Sequence, residues 1–152
     1  MRVYVGLGSN LGDREEMLRR ALELLDAEPG VEVAAVSAFR ETDPVDYEDQ
    51  PKFLNAAARL ETSLSPRALL DRMLALEQHL GRTRDGGPRF GPRTLDLDLL
   101  VYGDEVVDEP GLTVPHPRLR ERRFVLEPLA ELDPDLEIAG AGGVLELLSK
   151  LE

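Results

Sequence analysis

The sequence predicts an α+β fold in which a ferredoxin-like βαββαβ core is followed by additional C-terminal helices. Strand-like and helix-like segments follow one another in the order β-α-β-β-α-β, which is the split βαβ arrangement. The chain has 152 residues, 42% of them hydrophobic, which suffices for one domain with a buried core. It contains no internal repeat, linker or low-complexity tract. Residues 1–152 are therefore expected to form a single domain.

The first strand and the first helix are predicted close to the N-terminus. Residues 2–7 are rich in β-branched and aromatic side chains, which favour a strand. Residues 8–13 are predicted to form a turn with a structural role. Asp13 and Glu16 make a capping-box pattern, and apolar residues then recur at helical spacing. Residues 31–39 alternate loosely in polarity and are predicted as the second strand.

The centre of the chain is predicted to hold a loop, a strand and the second helix. Residues 41–52 are acidic and contain two prolines, so we expect a loop. Residues 53–60 are predicted as the third strand. Ser65 and Pro66 suit a helix start, with an N-cap followed by a first-turn proline, and Gly81 suits its end.

The clearest strand of the sequence is predicted at residues 94–102. Before it, residues 82–92 are rich in arginine and glycine, and we expect them to form a mobile loop. After it, helical segments are predicted near residues 121–131 and 143–151.

Composition excludes several classes of protein. The formal net charge of −12 argues against a nucleic-acid partner, because phosphate backbones require a basic surface. No apolar run is long enough to span a bilayer, the N-terminus lacks the pattern of a signal peptide, and there is no cysteine. A cytoplasmic location is the simplest interpretation. Residues 82–123 differ from the rest, since eight arginines balance eight acidic residues there. We expect a compact anion to bind in this part.

Two aspartates on the predicted fourth strand are the candidate metal ligands. Asp96 and Asp98 alternate with leucines, so both point to one face, with backbones roughly 7 Å apart. Two ionised carboxylates on one face repel each other unless a cation lies between them. Oxygen ligands of this kind suit Mg²⁺, which also takes phosphate oxygens and waters. A solvated strand face is the alternative, since alternation is what half-buried strands show.

Four arginines precede the aspartates, at positions 82, 84, 89 and 93. Arginine forks suit bidentate phosphate binding, so we expect a basic loop that closes over a polyphosphate. A solubilising surface is the alternative. His116 lies between two prolines in a second basic cluster, and no third ligand is spaced to make it part of a zinc site.

Five ordered segments of the sequence resemble one enzyme family. They are G-L-G-S-N-L-G-D, D-Q-P-K-F-L-N-A, G-R-T-R, G-P-R-T-L-D-L-D-L-L and L-T-V-P-H-P-R, which together run from about residue 3 to residue 130. The family is 6-hydroxymethyl-7,8-dihydropterin pyrophosphokinase. Its members have a ferredoxin-like core and transfer the β,γ-diphosphate of ATP to the pterin hydroxymethyl group, releasing AMP, in folate synthesis.

The resemblance also implies roles for individual residues. Asp96 and Asp98 would hold two Mg²⁺ ions that bridge the phosphates of ATP, and Arg82 and Arg93 would contact the transferred phosphates. The residues implied in ATP binding are Glu77, Arg84, Thr113, His116 and Arg122. Those implied in pterin binding are Phe53 and Phe124 as stacking rings, Asn55 as a hydrogen-bonding amide, and main-chain groups near Thr42, Asp43 and Val45. Read without the family, Phe53, Asn55 and Phe124 suit core aromatics and a strand-end amide.

Two other classes of function stay open from the residues. One is a ferredoxin-like regulatory module that binds a nucleotide or pterin without catalysis, and the other is a two-metal nucleotidyltransferase or nuclease. The aspartate pair counts against the first, and the net charge counts against the second. We expect a monomer that acts on ATP and the pterin alcohol, with neither nucleic acid nor membrane as a partner.

Overall fold

A computed structural model describes residues 1–10, 12–42, 52–81 and 95–151. The strands in this part of the chain are β1 (Arg2–Ser9), β2 (Val31–Val36), β3 (Arg40–Thr42), β4 (Phe53–Thr62), β5 (Asp96–Tyr102), β6 (Val107–Glu109), β7 (Leu112–Val114), β8 (Glu137–Ile138) and β9 (Gly142–Gly143). The helices are α1 (Arg14–Ala27), α2 (Pro66–Gly81), α3 (Arg123–Leu132) and α4 (Val144–Ser149), with a 3-10 turn at Leu119–Glu121.

The main sheet has the strand order β2-β4-β1-β5, and β3 pairs with β4 beside the end of β2. Neighbouring strands are antiparallel throughout. With α1 between β1 and β2, and α2 between β4 and β5, this is the ferredoxin-like arrangement. The α+β fold predicted from the sequence is confirmed.

One face of the sheet packs against α1 and α2. Alternate residues of the strands point to this side, because the side chains of a strand change face at every residue. The buried side chains that form this core include Val3, Val5, Leu7, Leu18, Leu25, Ala58, Leu60, Leu69, Met73, Leu97 and Leu99.

The opposite face carries a second buried cluster beneath α3 and α4. It contains Tyr4, Ala57, Leu100, Leu126 and Leu129, among others. The hydroxyl of Tyr4 donates a hydrogen bond of 2.8 Å to Asp133 at the end of α3, which ties the helix to the sheet. Burial and this partner raise the pKa of Tyr4 to about 12, so the hydroxyl keeps its proton. Farther along the same face, at the end where β4 and β5 begin, lie the polar residues of the candidate site.

Helix termini and strand edges show how local sequence fixes the elements. Asp13 caps α1 by accepting the backbone N–H of Glu16 at 3.1 Å, as the capping-box pattern predicts. Ser65 caps α2 by accepting the N–H of Ala68 at 3.2 Å. On the outer edge of β2, the carboxylate of Asp26 accepts the N–H of Val33 at 2.9 Å.

Several predicted boundaries are corrected. Gly8 and Ser9 continue β1 and do not belong to a turn. The second strand ends at Val36, and residues 41–42 of the predicted loop belong to β3. The hairpin of β6 and β7 was not predicted, nor were β8 and β9. The predicted loop at 82–92 and the remainder of the loop at 43–51 lie outside the described residues. No described helix is both long enough and apolar enough to span a membrane.

Candidate active site

Asp96 and Asp98 share one face of the sheet, as their spacing predicts, and this is the face that carries α3 and α4. Both are half-buried, and the alternating leucines of β5 are buried on the other face. Across β1, Asp96 faces Gly8 and Asp98 faces Gly6 in register. Glycine on the adjacent strand places no side chain beside the carboxylates. The pair can therefore approach a ligand that lies over β1.

Glu77 of α2 supports the backbone between the two aspartates. Its carboxylate accepts the N–H of Leu97 at 2.7 Å. Leu97 lies on β5, at one edge of the sheet, where no further strand of the described residues is present to accept its N–H. The Glu77 carboxylate accepts this N–H instead. The contact fixes β5 against α2 at the residue between the aspartates.

His116 approaches the same strand from the segment after β7. Its backbone N–H donates to the carbonyl of Leu100 at 2.9 Å, and its Nδ1 accepts the N–H of Arg118 at 3.2 Å. Burial lowers the pKa of His116, while the charge of Asp98 partly opposes that shift and Arg122 and Arg118 add to it. A neutral imidazole whose Nδ1 accepts a hydrogen bond carries its proton on Nε2. His116 can thus donate one hydrogen bond to an anion.

Asn55 and Thr42 form a polar pair at the start of β4. The amide nitrogen of Asn55 donates to the hydroxyl of Thr42 on β3. Asn55 faces Gly8 in register, and its amide oxygen lies directly above that glycine. Phe53, half-buried, precedes it on the same face and pairs with Thr42.

A single row of residues links this pair to the aspartates. Asn55, Gly8 and Asp96 stand opposite one another on β4, β1 and β5. Strands lie about 4.8 Å apart, so the backbones of Asn55 and Asp96 are separated by about 10 Å. That distance suits a substrate that is held at one end by the amide and reacts at the other.

Phe124 stands at the start of α3, half-buried against the second cluster. The guanidinium of Arg122 lies 5.5 Å from the centre of its ring, a cation–π distance. Thr113 is exposed on β7, opposite Asp108. The structure places Phe124 and Arg122 in direct contact. The positions predicted at Arg82, Arg84, Arg93, Asp43 and Val45 lie outside the described residues.

The two aspartates could supply some of the oxygen ligands of a divalent cation. Within residues 1–10, 12–42, 52–81 and 95–151, no group of three or more His, Cys, Asp or Glu side chains is arranged to hold a metal. An Mg²⁺ ion at this site would need further oxygen ligands, and phosphate oxygens and waters are its usual ones beside one or two carboxylates. The donor set therefore fits a metal bound together with a polyphosphate.

Gly8 is the site residue whose role the sequence interpretation missed. The sequence predicts a turn at Gly8, whereas the structure places it in β1, next to the amide oxygen of Asn55. The signal available was the alternation of glycine with apolar residues from Val5 to Gly8, which extends the strand.

The chain is similar to one known family and to named members of it. The family model for 7,8-dihydro-6-hydroxymethylpterin-pyrophosphokinase matches residues 4–134. The 2-amino-4-hydroxy-6-hydroxymethyldihydropteridine pyrophosphokinase of Bacillus subtilis is 52% identical over 134 residues, covering 88% of this chain and 79% of that protein. The protein of the same name from Pseudomonas aeruginosa is 46% identical over 148 residues, covering 97% and 90%.

A solved structure is also similar to this chain. It is described as Plasmodium falciparum HPPK-DHPS, wild type, with pterin and p-hydroxybenzoate. The similarity has a TM-score of 0.71 and 14% sequence identity, and it covers 98% of this chain and 41% of that one. At this identity, the likeness supports the fold alone.

Proposed function

The chain belongs to the 7,8-dihydro-6-hydroxymethylpterin-pyrophosphokinase family, and from that premise we propose that its reaction takes place over β1, between Asn55 and the aspartates of β5. The enzyme transfers the β,γ-diphosphate of ATP to the hydroxymethyl group of 6-hydroxymethyl-7,8-dihydropterin in folate synthesis. The pterin hydroxyl oxygen forms a bond to the β-phosphorus and loses its proton. The bond from that phosphorus to the α,β-bridging oxygen breaks, and AMP leaves with this oxygen.

The carboxylates of Asp96 and Asp98 are proposed to hold two Mg²⁺ ions together with the phosphates of ATP. When bound, Mg²⁺ neutralises charge on the transferring phosphoryl group. The half-buried aspartates on one face, with side-chain-free glycines opposite, support this assignment. Glu77 keeps the intervening backbone in place through its hydrogen bond to Leu97.

The remaining phosphate contacts are proposed to come from arginine and histidine. Arg82 and Arg93 would contact the transferred phosphates, with Arg84 acting from the same segment of sequence, because guanidinium forks match phosphate oxygens. His116 would donate from Nε2, which its Nδ1 contact leaves as the protonated nitrogen. The other residues proposed to bind the nucleotide are Glu77, Thr113 and Arg122.

The pterin is proposed to bind against Asn55, between the rings of Phe53 and Phe124. A flat heterocycle gains from stacking on aromatic rings, while one amide reads its polar edge. Thr42 orients that amide through its hydroxyl. Main-chain groups of Thr42, Asp43 and Val45 would supply further contacts.

The observation that carries the proposal is the row Asn55–Gly8–Asp96 across three strands. It puts a heterocycle-reading amide and a metal-binding carboxylate on one face, about 10 Å apart. A regulatory module without catalysis is not favoured, since the similar proteins are named as pyrophosphokinases.

The test is to incubate the protein with ATP, Mg²⁺ and 6-hydroxymethyl-7,8-dihydropterin and to identify the products. AMP with a diphosphorylated pterin is expected, and replacing Asp98 by asparagine should remove both. Asp104→Asn, in the exposed turn after β5, is the matched control and should retain activity. Formation of ADP or of free pyrophosphate would contradict the proposed reaction. Equal activity in both variants would contradict the site.

We also propose that the enzyme is a cytoplasmic monomer without a nucleic-acid or membrane partner. The net charge of −12 supports the absence of nucleic-acid binding. Light scattering after size-exclusion chromatography would test the monomer, and a dimer of about twice 16.8 kDa would contradict it.

A further inference from the structure

One carboxylate joins α3 to the strand segment beside the proposed pterin pocket. Glu131 pairs with the guanidinium of Arg40 on β3 at 2.7 Å through one oxygen. Its other oxygen accepts the backbone N–H of Ala38 at 2.8 Å. A single side chain thereby binds two points of the segment that leads into β3.

The strand side of this contact adjoins the amide that is proposed to read the pterin. Arg40 and Asn55 are direct partners across β3 and β4, so their side chains share a face. Two residues farther along β3, Thr42 accepts the amide hydrogen bond of Asn55. A shift of β3 would therefore move the partner that orients this amide.

The helix side of the contact adjoins the second proposed stacking ring. Phe124 and Glu131 are seven residues apart on α3, which places them on the same side of the helix and about 10 Å apart. The Glu131 contacts thus connect the element that carries Phe124 to the strands that carry Asn55 and Phe53.

The ion pair is poorly suited to stabilising the fold. The side chains of Arg40 and Glu131 are 36% and 37% exposed, and pairs of such exposure contribute little. The Nη1 atom of Arg40 is moreover buried without a hydrogen-bond partner among the described residues, which costs free energy. A role in geometry accounts for the pair better than a role in stability.

A stacked pterin makes such geometry important. A ring held between two others needs a gap of about 7–8 Å, twice the contact distance between carbon atoms. Small errors in this gap weaken stacking on one side or exclude the ligand. We propose that Arg40 and Glu131 are positioning residues for the pterin, which set the spacing between α3 and β3–β4 without touching the substrate. This inference rests on the pterin pocket proposed above.

The test uses Arg40→Gln, Glu131→Gln and the double variant, with Arg40→Lys as the conservative change. Calorimetric titration measures the Kd of the pterin and of a non-hydrolysable ATP analogue, and steady-state kinetics give KM and kcat. Each Gln variant is expected to raise the pterin Kd and KM roughly three- to tenfold, with kcat and the Kd of the analogue within twofold. The double variant should raise the pterin Kd no more than the single variant with the larger effect does, because each single variant already removes the same Arg40–Glu131 contact. Arg40→Lys should recover most of the affinity.

The matched control is Arg19→Gln, which removes an Arg–Glu pair of 2.6 Å on α1. Its pterin Kd should equal that of the wild type. The inference is overturned if Arg40→Gln and Glu131→Gln bind the pterin as tightly as this control does. It is also overturned if they raise the Kd of the ATP analogue as much as the Kd of the pterin. Asn55→Ala separates the two proposals. If it weakens pterin binding while the Gln variants do not, only the positioning role is wrong; if it too has no effect, the proposed pocket itself is wrong.

Discussion

Replacing Gly8 by alanine is expected to weaken pterin binding while leaving the fold intact. A Cβ atom at Gly8 would lie 2.7 Å from the amide oxygen of Asn55 and 3.7 Å from the nearer ring carbon of Phe53. Ordinary contacts begin at 3.4 Å, so the amide oxygen must withdraw by 3.4 − 2.7 = 0.7 Å. The backbone of Gly8 does not have a positive φ, so alanine itself fits the strand. The strain therefore falls on the side chain of Asn55.

The size of the effect follows from the hydrogen bond that the displaced amide loses. Withdrawal of Asn55 disturbs its hydrogen bond to Thr42 and the contact with the pterin that is proposed for its amide. One hydrogen bond is worth about 1 kcal/mol, which corresponds to a pterin Kd roughly five- to tenfold higher. Stability should change little, because two effects oppose each other. The strain on Asn55 destabilises the fold, whereas alanine in place of glycine lowers the entropy of the unfolded chain and so stabilises the fold by about 0.4–1 kcal/mol.

Isothermal titration with the pterin and with an ATP analogue, together with a thermal melt, measures these quantities. Gly6→Ala is the matched control, because its Cβ would meet Leu100 at 3.4 Å, an ordinary contact, on the same face of the same strand. An unchanged pterin Kd in Gly8→Ala would contradict this expectation, because the Asn55 amide would then not be the group that binds the pterin edge. A large fall in Tm without a specific loss of pterin affinity would refute it as well.

Other variants probe the remaining parts of the site. Asp96→Ala or Asp98→Ala should lower turnover by well over tenfold, which is more than about 1.4 kcal/mol in the barrier, with an unchanged Tm. More than about a tenth of wild-type activity in either variant would contradict the metal assignment. Arg82→Ala and Arg93→Ala should reduce kcat far more than pterin affinity, because charge shifts onto the transferred group during the reaction. Equal losses of kcat, measured by kinetics, and of pterin affinity, measured by titration, would indicate a structural role. Phe124→Leu should weaken pterin binding by roughly 1–2 kcal/mol with the affinity for an ATP analogue unchanged, and calorimetry showing a normal pterin Kd would remove this ring from the pocket.

The long elements of the fold were predictable because each carries a full pattern. The 14 residues of α1 combine a cap with apolar spacing, and the alternation of β5 makes it the clearest strand of the sequence. By contrast, β3, β6 and β7 have three residues each. A three-residue strand is too short to show a period, and its formation depends on the partner strand that tertiary packing supplies.

The residues of the candidate site likewise include some that a sequence pattern predicts and others that only the folded structure reveals. Asp96 and Asp98 could be found because their spacing alone sets the face they share. The contact of Glu77 with the N–H of Leu97 could not, since no local pattern indicates which side chain reaches an edge strand. Glu131 and Ala38 are 93 positions apart in the sequence, and only folding brings them together.

The carboxylates along the two outer strands also bear on how the molecules behave toward one another. Asp26 occupies an N–H on the outer edge of β2, and Glu77 occupies one on the outer edge of β5. Free edge groups are templates on which a strand from a second molecule can be added, and this is a common start of aggregation. A new strand would have to displace a charged side chain to pair with β2 at Val33 or with β5 at Leu97. The Glu77 carboxylate, which holds the backbone between the two candidate metal ligands, thus also discourages the sheet from growing between molecules.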